Sequence, residues 1–301
     1  MTARAAAQAH RTGGKLGIVT VNPLIDPTEL SELLRRAPAP TVLDVRWRLG
    51  GAPCRSEHAA GHIPGAVFLD LDADVCGPPG ARGRHPLPDP RHLQAVLRRA
   101  VVRDGGAVAV YDGGDGMAAS RTWWTLRWAG LSDVRVLDGG YPAWTEAGLS
   151  VETGSTEPDL SEESVGDVVV RPRSMPVVDA DGAAKLARAG RLIDVRAAAR
   201  YRGEQEPIDP VAGHIPGAVN APDGEIGPDG RFVPVQELRE RYAALGAEPG
   251  VPTGAYCGSG VAAARAVLAM TAAGFEPVLY AGSWSEWITD PRRPVATGDQ
   301  R

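Results

Sequence analysis

Cysteine is scarce in this sequence: Cys54, Cys76 and Cys257 are the only three in 301 residues. An odd number with no CxxC pair argues against a disulfide framework and against a metal held by spaced thiolates. Any thiol chemistry must then come from one cysteine in a special setting. Long apolar runs are also missing, since no stretch approaches the roughly 18 residues that a membrane helix needs. The opening MTARAAAQAHRTGGKLG lacks an apolar core followed by a cleavage pattern, so the expectation is a cytoplasmic chain with a mobile polar tail. No block of one charge occurs, and a net charge of -5 with a pI near 5.7 speaks against nucleic acid or an anionic membrane as partner. What is present, 43% hydrophobic and 23% charged residues, is the composition of an ordinary globular protein. The length suits two domains of roughly 150 residues each.

The chain repeats itself. TVLDVRWR at 41 to 48 returns as RLIDVRAA at 191 to 198, and GHIPGAV occurs at 61 to 67 and again at 213 to 219. LDGGYPAW at 137 to 144 is answered by YAGSWSEW at 280 to 287, in the same order and at similar spacing. Short apolar runs (Val42 to Val45, Val108 to Tyr111 and Val134 to Leu137, then Leu192 to Val195, Gly254 to Cys257 and Val278 to Tyr280) alternate with helical patterns such as HLQAVLRRAV and VAAARAVLAM. This alternation predicts a mainly parallel α/β sheet flanked by helices in each half. The boundaries expected are 21–150 for the first unit, 151–172 for an acidic, Ser/Thr/Pro-rich linker, and 173–295 for the second. In such sheets ligands sit beyond the carboxyl ends of the strands.

One strand end carries chemistry. GAYC ends at Cys257, GSGVA follows, and an Ala-rich helix runs from about Val261 to Ala273. Gly258 and Gly260 let the backbone turn its N–H groups toward one centre, and the helix N-terminus adds positive partial charge. Such a cradle favours a thiolate over a thiol and would equally hold a persulfide and an anionic donor. Cys257 is otherwise a buried core thiol. Cys54 and Cys76 lie in loop-like sequence with no such cradle. In the first half AVAVYD ends at Asp112; an aspartate cannot accept a sulfane sulfur, so that copy is read as non-catalytic.

The duplicated DVR and GHIPGA segments, the lone cysteine of CGSGVA and the terminal GSWSEW resemble the tandem-domain rhodanese sulfurtransferases over about residues 21 to 295. The resemblance implies two rhodanese-like domains and a ping-pong reaction with a persulfide on Cys257. It implies an active-site loop of Gly258, Ser259, Gly260, Val261 and Ala262, and no metal or organic cofactor. CGSGV is similar to the 3-mercaptopyruvate version of that loop, because thiosulfate enzymes have basic residues after the cysteine and 258–262 hold none. The expected partners are a small anionic sulfur donor and a thiol acceptor such as thioredoxin or glutathione. By the same resemblance Arg200 matches an arginine that grips the substrate carboxylate, although Arg196 and Arg202 lie close by. The family's second arginine falls near Asp209 and is not matched. Ser259 either serves the leaving group, with His62 in support, or is a small turn residue that caps the next helix. Arg84, in RGRHPLP, adds positive potential.

His62 and His214 occupy identical strings, which favours a structural role for both. Asp44 and Asp194 are expected to bind loop backbone or an arginine, and Trp123, Trp124, Trp128, Trp284 and Trp287 to pack in a core or between the halves. Two rivals remain. A cysteine phosphatase or arsenate reductase would need an arginine where Ala263 stands, the next one being Arg265. A binding or regulatory module without turnover is the other.

Overall fold

The computed structural model describes residues 22–154 and 165–299. The polar N-terminal tail and the middle of the expected linker lie outside the described residues. The first half runs β1 (Leu24–Ile25), α1 (Pro27–Leu34), β2 (Thr41–Asp44), α2 (Arg55–Ala60), β3 (Val67–Phe68), one π-helical turn (Leu71–Val75), α3 (Pro90–Arg99), β4 (Val108–Tyr111), α4 (Met117–Trp128), β5 (Val134–Leu137) and α5 (Gly140–Glu146). The second runs β6 (Val177–Val178), α6 (Ala180–Ala189), β7 (Arg191–Asp194), α7 (Ala198–Tyr201), β8 (Val219–Asn220), α8 (Val235–Ala244), β9 (Thr253–Tyr256), α9 (Val261–Ala272), β10 (Val278–Tyr280) and α10 (Ser283–Trp287). The sheets have the same order, β1-β5-β4-β2-β3 and β6-β10-β9-β7-β8, and every pairing is parallel. The outer strands β1, β3, β6 and β8 are two residues long, too short to show a pattern in the sequence.

Both repeated strings have a physical cause. Arg46 pairs with Asp44 and donates to the Gly61 carbonyl at 2.8 Å. Arg196 pairs with Asp194 at 2.7 Å and donates to the Gly213 carbonyl at 2.6 Å. The Arg of DVR thus ties the strand end to the first residue of GHIPGA, while Val45 and Val195 between Asp and Arg enter the core. A buried carboxylate and guanidinium require this mutual satisfaction.

Each sheet has one private face and one shared face. The private cores gather Ile25, Ile63, Tyr111 and Trp144 in the first half, and Tyr201, Ile215, Tyr256, Trp284 and Trp287 in the second. The opposite faces meet in a single core containing Val110, Trp123, Trp124, Trp128, Val267 and Leu268. At its centre α4 packs on α9. α9 is buried nearly all round, as a helix enclosed between two layers must be, and its alanines permit close approach. Part of the expected linker is tied down: Arg98 Nε donates to the Val168 carbonyl at 3.0 Å, Val170 N–H to Gln94 Oε1 at 3.0 Å, and Val168 is buried in the core. No helix among the described residues is long and apolar enough to cross a membrane.

Candidate active site

Helix starts leave backbone N–H groups without intrahelical partners. In α1, α3 and α6 the side chains of Asp26, Asp89 and Asp179 accept from those groups. α4 and α9 begin differently, on left-handed Gly116 and Gly260 with no side-chain cap. At α9 the Cys257 sulfur takes the place of a cap, accepting from Gly260 N–H at 3.1 Å. Gly260 has φ +84°, and a Cβ there would collide with the Ala281 carbonyl and lie 2.7 Å from Arg121 Nη1. Only glycine fits this turn.

The strand end is braced from the next loop. Trp284 and Ser285 N–H donate to the carbonyls of Cys257 and Gly258, both at 2.9 Å. Cys257 N–H donates to Ser283 Oγ at 3.1 Å, and Ser283 holds φ +55°, a conformation rare for a residue with a Cβ. Cys257, 5% exposed, opens onto a cavity of about 240 Å³ lined by Trp47, Leu49, Arg84 and Met117 of the first half and by Arg200, Gly258, Ser259, Val261 and Ala262 of the second.

The first half delivers a hydrogen-bonded relay to Ser259 that sequence reasoning missed. His85 Nδ1 lies 2.7 Å from Ser259 Oγ, and its Nε2 lies 3.1 Å from Asp72 Oδ1. Asp72 also accepts from Trp47 Nε1 at 3.0 Å. Because a carboxylate only accepts, Nε2 carries the proton, Nδ1 accepts, and the Ser259 hydroxyl donates to it. Burial, partly opposed by the Asp72 charge, lowers the imidazole from 6.5 to about 4. The ring is therefore neutral at pH 7, the state that can take a proton. Arg121 of α4 secures the relay to the cysteine loop, donating to the His85 carbonyl at 2.7 Å and the Gly260 carbonyl at 3.3 Å.

The expected site residues divide accordingly. Cys257, Gly258, Ser259, Val261, Ala262, Arg84 and Arg200 all line the cavity, with Gly260 beneath. Ser259 does not cap α9; it turns to His85. His62, expected in support, is displaced by His85: its Nδ1 bonds the His58 carbonyl at 2.8 Å, and its ring stacks on His58 at 4.0 Å. His214 does the equivalent with Tyr201, at 2.8 Å and 3.7 Å, so the shared histidine belongs to the private cores. A signal for His85 was available, because GRHP at 83 to 86 is matched by GRFV at 230 to 233, with Phe232 where the histidine stands. Arg202 pairs with exposed Glu204, leaving Arg200 as the arginine of its group that faces the cavity with its charge less enclosed than that of Arg196. Cys54 and Cys76 are buried outside the cavity lining, and burial pushes both thiols up. Arg265, the first arginine after the Ala263 position where a phosphatase would need one, donates to the Asp115 carbonyl at 2.9 Å and pairs with Asp223 and Glu225.

Two parallel five-stranded α/β units sharing one cysteine loop at a strand end define the class of tandem rhodanese-type proteins. The family model "Rhodanese-like domain" matches residues 26–147 and 179–290, and the chain belongs to that family, among its sulfurtransferases. It is 48% identical over 270 residues to a Pseudomonas aeruginosa protein provisionally named a 3-mercaptopyruvate sulfurtransferase, covering 86% of this chain and 92% of that one. It is 42% identical over 279 residues to SseB of Mycobacterium tuberculosis, provisionally named a thiosulfate sulfurtransferase, covering 91% and 97%. The crystal structure of SseA from Escherichia coli, described as a 3-mercaptopyruvate sulfotransferase, superposes with a TM-score of 0.76 at 30% identity, over 88% of this chain and all of that one.

Proposed function

We propose that this sulfurtransferase takes sulfur from a small anionic donor, with 3-mercaptopyruvate favoured, carries it as a persulfide on Cys257, and passes it to a thiol such as thioredoxin or glutathione. The observation that carries this reading is the Cys257 sulfur seated on the Gly260 amide with the Ser259–His85–Asp72 relay beside it. In the first step the Cys257 thiolate attacks the donor sulfur, an S–S bond forms, and the donor's C–S bond breaks. The electron pair leaves on carbon as the enolate of pyruvate. The relay removes the donor's thiol proton through Ser259 and returns a proton to that carbon, so pyruvate leaves and the persulfide anion remains. In the second step an acceptor attacks the outer sulfur and the Cys257 thiolate is regenerated; with cyanide the product is thiocyanate. Arg84 and Arg200 orient the donor's carboxylate at the mouth. The same reading divides the chain into a non-catalytic unit, 21–150, a linker, 151–172, and a catalytic unit, 173–295.

The test is thiocyanate formation from cyanide with 3-mercaptopyruvate and, separately, with thiosulfate, alongside intact mass. A higher kcat/KM for mercaptopyruvate, with one added sulfur atom that is lost in Cys257→Ser, supports the proposal. A thiosulfate preference overturns the donor assignment. Absence of both thiocyanate and persulfide with either donor overturns the reaction and favours a binding module.

A further inference from the structure

Arg84 and Arg200 come from different halves yet converge on one point. A Cβ placed on Gly258 would lie 2.9 Å from Arg84 Nη2 and 3.6 Å from Arg200 Nη2, so both guanidinium groups stand directly beside the cysteine loop. Two unopposed arginines there would form a strong dianion site. They are not unopposed. Asp209, whose side chain is 3% exposed, lies between them, pairing with Arg84 through Oδ1 and with Arg200 through Oδ2 at 3.0 Å. Glu206 takes Arg200 at 2.7 Å and Arg196 at 3.4 Å, and Asp194 takes Arg196. Three guanidinium groups thus face three carboxylates, and this cluster beside the cysteine loop is formally neutral.

We infer that Asp209 is a specificity-determining residue, an internal carboxylate that bridges the two arginines and makes the site prefer singly charged donors over doubly charged ones. A donor arriving at the mouth meets each arginine already sharing its charge with Asp209. Coulomb energy scales with the charge of the incoming ion, so the missing net positive charge handicaps a dianion twice as much, in free energy, as a monoanion. A mercapto carboxylate carries one charge and thiosulfate two. The inference rests on the sulfurtransferase reading for its substrates, while the charge argument stands on the geometry alone.

The experiment compares wild type with Asp209→Asn, which keeps the shape and removes the charge. The first readout is KM and kcat for 3-mercaptopyruvate and thiosulfate. The second, independent of turnover, is protection of Cys257 from the neutral alkylating agent iodoacetamide by sulfate, a dianion, and by pyruvate, a monoanion. The expected result is roughly a threefold drop in the half-protecting concentration of pyruvate and a roughly tenfold drop for sulfate, with KM for the two donors falling in the same proportion. Glu204→Gln, which removes one exposed charge outside the cavity, leaves the ratio unchanged. Equal factors for both ions, weaker protection by both, or no protection by sulfate in either protein would overturn the inference. Asp209→Ser substitutes if the asparagine variant does not fold. Absence of thiocyanate in wild type would count against the reaction itself, and the protection ratio would still decide the role of Asp209.

Discussion

The Asp112 loop of the first half and the Cys257 loop of the second are one device with two occupants. Both follow the fourth strand of their unit in chain order, end on a left-handed glycine and open a twelve-residue buried helix. At Asp112 the carboxylate fills the cradle, accepting from Gly114, Gly116 and Ala119 N–H at 2.9, 3.2 and 3.0 Å. At Cys257 the loop is one residue shorter and the sulfur takes one amide. The filled copy teaches what the cradle binds: an anion at a helix start. The capping loops are exchanged as well. Arg84 and His85 of the first half face the cysteine loop, and Phe232 of the second half covers Gly116. Arg121 of α4 reaches the Gly260 carbonyl while Arg265 of α9 reaches that of Asp115. The half without the cysteine therefore supplies the relay for the half that has it.

The comparison breaks most sharply at the two strand ends. Cys257→Ser should lower turnover at least about a thousandfold, since no other group can form the covalent intermediate, whereas Asp112→Ala should keep kcat within about threefold in the cyanide assay. A comparable loss in both would mean that the copies are not functionally distinct. The glycines come next. Gly260→Ala should cost about 3 kcal/mol in urea unfolding, because its Cβ meets the Ala281 backbone at positive φ. Gly116→Ala, whose Cβ would find only side-chain atoms at 3.5 Å or beyond, should cost about 1 kcal/mol. Ser259→Ala should reduce kcat with mercaptopyruvate about a hundredfold, the usual worth of a positioned proton-transfer group; an unchanged kcat would leave Ser259 a turn residue.

A further effect is on the pH dependence of stability, where His85 and Asp112 oppose each other. His85 titrates near 4 in the fold against 6.5 unfolded, so the unfolded chain binds more protons between those values and this contribution is lost as pH falls. Burial, with Asp115 nearby, raises the Asp112 carboxyl from 3.8 to about 6. There the folded chain binds more protons, and its contribution is lost as pH rises. The two should nearly cancel between about pH 4 and 6. Asp112→Asn should make stability rise with pH in that window and His85→Gln should make it fall, by up to about 1.4 kcal/mol per pH unit each. Parallel slopes in the two variants would contradict the assignment.

Much of this architecture was legible in the chain. Val108–Tyr111, Val134–Leu137 and Val278–Tyr280 were readable as strands to the residue, because buried parallel strands are short apolar runs bounded by turns. Cys257 stood out for its glycines and the helix behind it. The resemblance pointed to His62 as support for Ser259 while its repetition pointed to common scaffold, and the histidine that meets Ser259 is the unrepeated His85. Asp209 read only as a mismatch, because nothing local indicates that it bridges two arginines.

By itself the sequence determined the duplication, the parallel sheets and the strand end that carries Cys257 in a glycine loop, since each of these is written in residues close in the chain. Tertiary structure alone decided which histidine serves Ser259, 174 residues away, which carboxylate bridges Arg84, 125 residues away, and which arginine fastens Gly260, 139 residues away. Those pairings exist only because α4 packs on α9 and brings the two halves face to face, and contacts made across that surface leave no period or spacing in the sequence.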